Sequence, residues 1–171
     1  MSAAPAVGEK APAFALQSTS GETVRLADLA GQWVVLYFYP KDDTPGCTKE
    51  ACSFQAHLPQ LARLGAKVFG VSKDTVDSHQ RFSKKFSLTF PLLCDADGML
   101  CDAYGVFKKK SMYGRSFMGI ERTTFVINPQ GRIAHVFPKV SVDGHTEAVL
   151  QALRDATASA GQTPRASSGA R

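Results

Sequence analysis

The sequence lacks the patterns that mark membrane, secreted and zinc-binding proteins. No apolar run approaches the roughly 20 residues of a membrane-spanning helix, and residues 1–5 lack the basic and apolar segments of a secretory signal. Four cysteines are too few for a disulfide framework in a chain of 171 residues, and no C-x2-C pair is present to hold structural zinc. We therefore expect a soluble protein of the cytoplasm, whose cysteines are core residues, catalysts or redox sensors.

Charge and histidine placement argue against two further classes. The net charge of +5 comes from 20 basic and 15 acidic residues that are scattered along the chain, so no groove for nucleic acid is predicted. Lys108–Lys110 and Arg115 are interpreted as a solvated loop, and the histidines as ordinary residues without metal-ligand spacing. The histidines are His57, His79, His135 and His145. We expect no metal, no cofactor, no nucleic-acid partner and no membrane partner.

What the chain does contain fits one α/β domain over residues 1–157, followed by a disordered tail over 158–171 rich in Ala, Ser and Gly. The apolar run Trp33–Tyr39 indicates a central strand covered on both faces. A hairpin is predicted at 14–26, and further strands at 67–72, 92–94, 123–127 and 132–137. Helices are predicted at 45–65, 76–86, 99–104 and from about 143. We expect Pro59 to divide or kink the first of these helices and Asp74 to cap the second. This order predicts a thioredoxin-like fold, with a central mixed β-sheet flanked by helices and an N-terminal β-hairpin.

The strand-to-helix junction over residues 40–52 is where we expect chemistry. Thr44 is positioned to cap the helix and Pro45 to be its first residue, which places Cys47 in the first turn. Helix N-termini favour negative charge, so the thiolate form of Cys47 is stabilised there. The pattern therefore predicts a nucleophilic cysteine at residue 47.

The second cysteine of this stretch is Cys52, five residues after Cys47. On an ideal helix this spacing turns the side chain by about 140° and raises it by about 7.5 Å, so the two Cβ atoms lie roughly 10 Å apart. A disulfide requires Cβ atoms about 4 Å apart. A bond between Cys47 and Cys52 therefore requires the first turns of the helix to unwind, unlike a standing C-x-x-C dithiol.

Two blocks of the sequence resemble the peroxiredoxins. The string YFYPKDDTPGCTKEAC, residues 37–52, is similar to their signature P-x-x-x-T-x-x-C, and most resembles the peroxiredoxin Q branch, also called bacterioferritin comigratory proteins, which carries a second cysteine five positions on. Residues 112–114, MYG, and 118–127, MGIERTTFVI, resemble a later block whose arginine returns to the active site. The resemblance covers roughly residues 7–157.

The resemblance implies a thiol-dependent peroxidase that acts on hydrogen peroxide and alkyl hydroperoxides. Cys47 is then the peroxidatic cysteine, which becomes a sulfenic acid, and Cys52 is the resolving cysteine, which forms a disulfide with it. The implied reductant is thioredoxin, with glutaredoxin or another thiol donor as alternatives, and the implied assembly is a monomer.

Further residues receive roles from the same resemblance. Thr44, Arg122 and the backbone N–H groups near Gly46 and Cys47 surround the peroxide oxygens, where negative charge develops. Pro40 packs over the sulfur and limits water, and Glu50 helps to hold Arg122.

Several simpler interpretations remain open at this point. Thr44 is a plain helix cap, Glu50 a first-turn acid and Arg122 the partner of a surface acid in these alternatives. Asp42 and Asp43 are interpreted as solvated loop charges, and Cys94 and Cys101 as buried filler. Some relatives place the resolving cysteine in the next helix, but residues 79–86 contain none.

Two alternative functions compete with the peroxidase. One is a general disulfide oxidoreductase, which the spacing of the two cysteines disfavours. The other is a redox-sensing or chaperone-like binding protein, in which peroxide oxidises Cys47 once and the unwound helix alters a partner.

Overall fold

The computed structural model describes residues 3–162. Its strands are β1 (Ala15–Gln17), β2 (Thr23–Arg25), β3 (Trp33–Phe38), β4 (Ala66–Ser72), β5 (Leu92–Cys94), β6 (Phe107–Met112), β7 (Arg115–Ile120), β8 (Thr123–Ile127) and β9 (Ile133–Phe137). Its α-helices are α1 (Pro45–Ala56), α2 (Leu58–Arg63), α3 (Val76–Lys85), α4 (Met99–Ala103) and α5 (His145–Gln162), and a 3-10 turn spans Leu26–Leu29.

The central sheet has five strands in the order β5-β4-β3-β8-β9. Strand β3 pairs in parallel with β4 and antiparallel with β8, so the sheet is mixed, as predicted. Every residue of β3 after Trp33 is buried, which confirms the predicted central strand. The predicted N-terminal hairpin is also present as β1 and β2.

Side chains of the central strand alternate between two apolar cores, one on each face of the sheet. Helices α1, α2, α3 and α5 cover one face, and helix α4 and the N-terminal segment cover the other. The first core receives Val35 and Tyr37, and the second receives Val34, Leu36 and Phe38. Burial on both faces explains why the sequence of this strand is uninterruptedly apolar.

The long helical segment after the central strand is divided, as the sequence predicted. Helix α1 ends at Ala56, and α2 begins at Leu58 with Pro59 in its first turn, where a missing N–H group is tolerated.

The predicted cap of α3 is wrong. Thr75, and not Asp74, caps this helix, and its hydroxyl accepts a hydrogen bond from the Ser78 N–H at 3.1 Å.

The basic segment interpreted as a solvated loop is instead a β-hairpin formed by β6 and β7. Its two-residue turn, Tyr113-Gly114, has φ of 54° and 76°, the left-handed geometry that fits the twist of a hairpin. The lysine run conceals the strand because its side chains are mostly exposed and show no apolar alternation. The hairpin leads directly into the segment that carries Arg122.

The predicted tail falls mainly outside the described residues. Helix α5 continues to Gln162, so residues 158–162 belong to it, and residues 163–171 lie beyond the described range. Within residues 3–162, no helix combines the length and the apolar character needed to cross a membrane.

Candidate functional site

Cys47 lies buried at the carboxyl end of the central strand, in the first turn of α1. Its sulfur accepts a hydrogen bond from Nη2 of Arg122 at 3.5 Å. Arg122 occupies the short link between β7 and β8, and the pairing of Phe38 with Thr123 brings this link beside the end of β3. The sheet therefore joins two residues that are 75 positions apart in the sequence.

Glu50 lies one helical turn after Cys47 and holds the same arginine. Its Oε1 accepts a hydrogen bond from Nη1 of Arg122 at 2.7 Å, and its side chain is only 1% exposed. The guanidinium thus bridges the buried Glu50 side chain and the buried sulfur. Lysine cannot reproduce this, because it lacks the planar group of several N–H donors. The structure brings together the three residues that the sequence placed here.

Thr44 and Gly46 shape the entrance to α1. Thr44 occupies the N-cap position, but its hydroxyl donates to the backbone oxygen of Lys41 at 2.9 Å and does not cap the helix. A Cβ at Gly46 would stand 3.1 Å from Nη2 of Arg122, so glycine leaves the guanidinium its room. Pro40 is exposed just after β3, and its contact with the sulfur stays a prediction.

Cys52 is exposed on the same unbroken helix whose first turn buries Cys47, and both are free thiols. The structure does not bring the two sulfurs together. This is the arrangement that their spacing predicted for the folded helix.

The two remaining cysteines have the character of core residues. Cys101 is buried, and burial raises the pKa of its thiol far above the ordinary value. Cys94 is partly buried, and burial raises the pKa of its thiol as well. Neither therefore favours the reactive thiolate at neutral pH.

A buried histidine that the sequence did not reveal extends the site. His145 begins α5, and its Nε2 lies 2.8 Å from the Thr124 hydroxyl and 4.0 Å from Oε2 of Glu50. Burial and the nearby Arg122 lower the pKa of His145 to about 4. Burial raises the pKa of Glu50 to about 7, although Arg122 opposes this shift. No local sequence signal marks this contact, because it joins residues of α1, β8 and α5.

Replacing Glu50 by glutamine is expected to change how stability varies with pH. Between pH 4.5 and about 7, native Glu50 keeps a proton that the unfolded chain has released, so its contribution to stability falls as pH rises. His145 acts in the opposite sense from about pH 4 to 6.5, because only the unfolded chain is protonated there. In the wild type, the pH dependence of stability that arises from Glu50 and the one that arises from His145 offset each other. The substitution Glu50→Gln removes only the contribution of Glu50.

The free energy of unfolding of Glu50→Gln, relative to the wild type, should therefore rise by about 3 kcal/mol from pH 4.5 to 7. Urea unfolding at several pH values measures this difference. Glu22→Gln, at an exposed position, is the matched control. Parallel curves for Glu50→Gln and the wild type would show that Glu50 titrates as it does in the unfolded chain.

The interpretation of Asp42 as a solvated charge is wrong. Its side chain is buried, and Oδ1 accepts a hydrogen bond from the Tyr39 hydroxyl at 2.6 Å. Oδ2 accepts from the Ser78 hydroxyl at 2.8 Å and lies 2.7 Å from Nδ1 of His79. Asp43, in contrast, is exposed and pairs with Lys85. Because its Nδ1 contacts the buried Asp42 carboxylate, His79 is also more than an ordinary residue.

Among residues 3–162, the atoms of Asp42, Asp74 and His79 lie within 4.8 Å of one another, close enough to suggest a cation site. Hydrogen bonds already account for these atoms. Oδ2 of Asp74 accepts from the Ser72 hydroxyl and from the Asp42 N–H. We therefore interpret the group as a hydrogen-bonded cluster.

Comparisons with known proteins extend over most of the chain. Residues 7–136 match the model of the AhpC/TSA family. Peroxiredoxin Bcp of Bacillus subtilis is 46% identical over 149 residues, which cover 87% of this chain and 95% of the relative.

Two solved structures give the same result for the fold. PrxQ of Xylella fastidiosa is 41% identical, with a TM-score of 0.85 over 90% of this chain and 98% of that one. A bacterioferritin comigratory protein of Xanthomonas campestris, described for its alkyl peroxide reduction activity, is 46% identical, with a TM-score of 0.81 over 84% of this chain and 92% of that one. The thioredoxin-like fold predicted from the sequence is confirmed.

Proposed function

Since this chain belongs to the AhpC/TSA family, and within it to the peroxiredoxin Q or Bcp branch, we propose that its peroxidase activity reduces hydrogen peroxide and alkyl hydroperoxides through Cys47. The observation that carries the proposal is the buried sulfur of Cys47 within 3.5 Å of the Arg122 guanidinium. The guanidinium donates a hydrogen bond to this sulfur and places a positive charge beside it. The alkyl peroxide reduction described for the Xanthomonas campestris relative supports the substrate class.

The first chemical step is attack by the Cys47 thiolate on the nearer peroxide oxygen. The S–O bond forms as the O–O bond breaks, and the departing alkoxide takes a proton, which yields an alcohol and a Cys47 sulfenic acid. Arg122 and the N–H groups of Gly46 and Cys47, which have no partner within the helix, surround the developing negative charge. The Thr44 hydroxyl donates its hydrogen bond to the backbone oxygen of Lys41, so its own oxygen is available to accept a hydrogen bond from the peroxide O–H.

The second step is attack by the Cys52 thiol on the Cys47 sulfenic acid, which forms a disulfide and releases water. Cys52 is exposed and Cys47 buried, so the first turns of α1 must unwind before the sulfurs meet. A dithiol donor then reduces the disulfide by thiol exchange, and we propose thioredoxin in this role, with glutaredoxin as the alternative. The separation of the two thiols disfavours a general disulfide oxidoreductase.

Peroxide consumption coupled to thioredoxin, thioredoxin reductase and NADPH tests the complete cycle. Cys52→Ser should react once with peroxide at the wild-type rate, because Cys47 and Arg122 are unchanged, and then lose thioredoxin-coupled turnover. Cys94→Ser, which also removes one thiol, is the control and should keep the full cycle. Unaltered steady-state turnover in Cys52→Ser would show that an external thiol resolves the sulfenic acid.

We also propose that the protein acts as a monomer in the cytoplasm. Every side chain assigned to the site comes from one copy of the chain, and the chemistry requires a supply of reduced thiols. Light scattering during size-exclusion chromatography should give the mass of one chain, and an active dimer would contradict this.

A further inference from the structure

The loop between β3 and α1 is fixed to a distant helix by Asp42. This residue lies five positions before Cys47, yet its carboxylate meets Ser78 and His79 of α3. Its backbone N–H also donates to Oδ2 of Asp74 at 2.9 Å. Asp42 therefore fixes the segment that precedes Cys47 through both its side chain and its backbone.

The pair formed by Asp42 and His79 is deeply buried, and every polar atom in it has a partner. Nε2 of His79 donates to the backbone oxygen of Leu93 at 2.9 Å, because a carbonyl oxygen can only accept. Burial raises the pKa of Asp42, but hydrogen bonds from His79, Tyr39 and Ser78 outweigh it and leave the pKa below its ordinary value. A buried and fully paired carboxylate of this kind is costly to detach.

This anchor bears on the step that separates the two chemical events. Disulfide formation requires the first turn of α1 to unwind, and the backbone of that turn continues directly into the Asp42 loop. Only Asp43 and Thr44 separate Asp42 from Pro45, where α1 begins. Contacts that fix the loop therefore stabilise the folded turn relative to the unwound one.

We propose that Asp42 and His79 act as a latch that holds the first turn of α1 folded, so that the latch favours peroxide attack by Cys47 and delays disulfide formation with Cys52. The residues of the latch are positioning residues, since none of them contacts the sulfur. The proposal rests on the proposed two-cysteine cycle. On this proposal, the contacts between the loop and α3 determine the lifetime of the Cys47 sulfenic acid.

Rapid-quench mass spectrometry after one addition of hydrogen peroxide measures both steps in one sample. In His79→Gln, disulfide formation should accelerate about tenfold, because the folded turn loses part of its support, and loss of the Cys47 thiol should slow by a smaller factor, because the folded turn is the major state. His135→Gln is the matched control, since His135 is exposed on β9 and contacts the ring of Phe137. It should change neither rate.

Ser78→Ala is a milder variant that removes one hydrogen bond to Asp42 and leaves the histidine in place. It should shift both rates in the same opposite directions, by less than His79→Gln. General damage to the fold would slow both steps together, so a parallel fall in either variant, or unchanged rates in both, overturns the latch. A wild-type protein that forms no Cys47–Cys52 disulfide would instead overturn the proposed cycle.

Discussion

Peroxide consumption is expected to vanish when Cys47 is replaced by serine. The two side chains have nearly the same volume, so the buried site next to Arg122 should keep its shape. A serine hydroxyl does not ionise near neutral pH and is a much weaker nucleophile than a thiolate. The rate constant should fall by roughly a thousandfold or more, as it does when an enzyme loses its nucleophile.

The coupled NADPH assay and the direct reaction with peroxide both measure this loss. Cys94→Ser serves as the control for removal of a thiol outside the site. Wild-type activity in Cys47→Ser would remove Cys47 from the chemistry. An unchanged melting temperature would confirm that the loss is chemical and not structural.

A loss of roughly 10²- to 10³-fold in the peroxide step is expected for Arg122→Met, by analogy with removal of one donor from a charge-stabilising site. The guanidinium lies 3.5 Å from the sulfur, and in the proposed mechanism it meets the negative charge that develops on the departing oxygen. Methionine fills a similar space but offers no donor. Stopped-flow measurement of the single-turnover rate tests this effect.

The variant Arg122→Met also removes the hydrogen-bond partner of the buried Glu50 side chain, and an ionised Glu50 would then be an unpaired buried charge, which is destabilising in itself. The double variant Glu50→Gln/Arg122→Met separates the two effects, because glutamine carries no charge. It should regain stability but not activity. If the double variant regained the wild-type rate, Arg122 would serve only to neutralise Glu50.

The fold was predictable from sequence where its signals are local. The apolar run of β3, the proline that divides α1 from α2 and the position of Cys47 in a first helical turn depend on residues close together in the chain. The spacing of Cys47 and Cys52 likewise determined their separation, because helix geometry is regular. Arg122 came from the resemblance to peroxiredoxins, since no local pattern connects it to α1.

The buried polar contacts were not predictable in the same way. The sequence predicts a solvated Asp42 because this residue lies in a charged loop. Its partners on α3 are brought to it only by the packing of that helix against the loop. His145 reaches Thr124 because α5 lies beside the end of β8, a contact between segments 21 residues apart. Burial of such groups depends on tertiary neighbours, which local composition does not specify.

The most direct test of the two-cysteine cycle is the intact mass of the protein after one equivalent of hydrogen peroxide, followed by peptide mapping. A disulfide between Cys47 and Cys52 lowers the mass by about 2 Da, and the two cysteines should then be found in one linked peptide. A stable gain of about 16 Da on Cys47, or a linkage that involves Cys94 or Cys101, would contradict the cycle proposed for this protein.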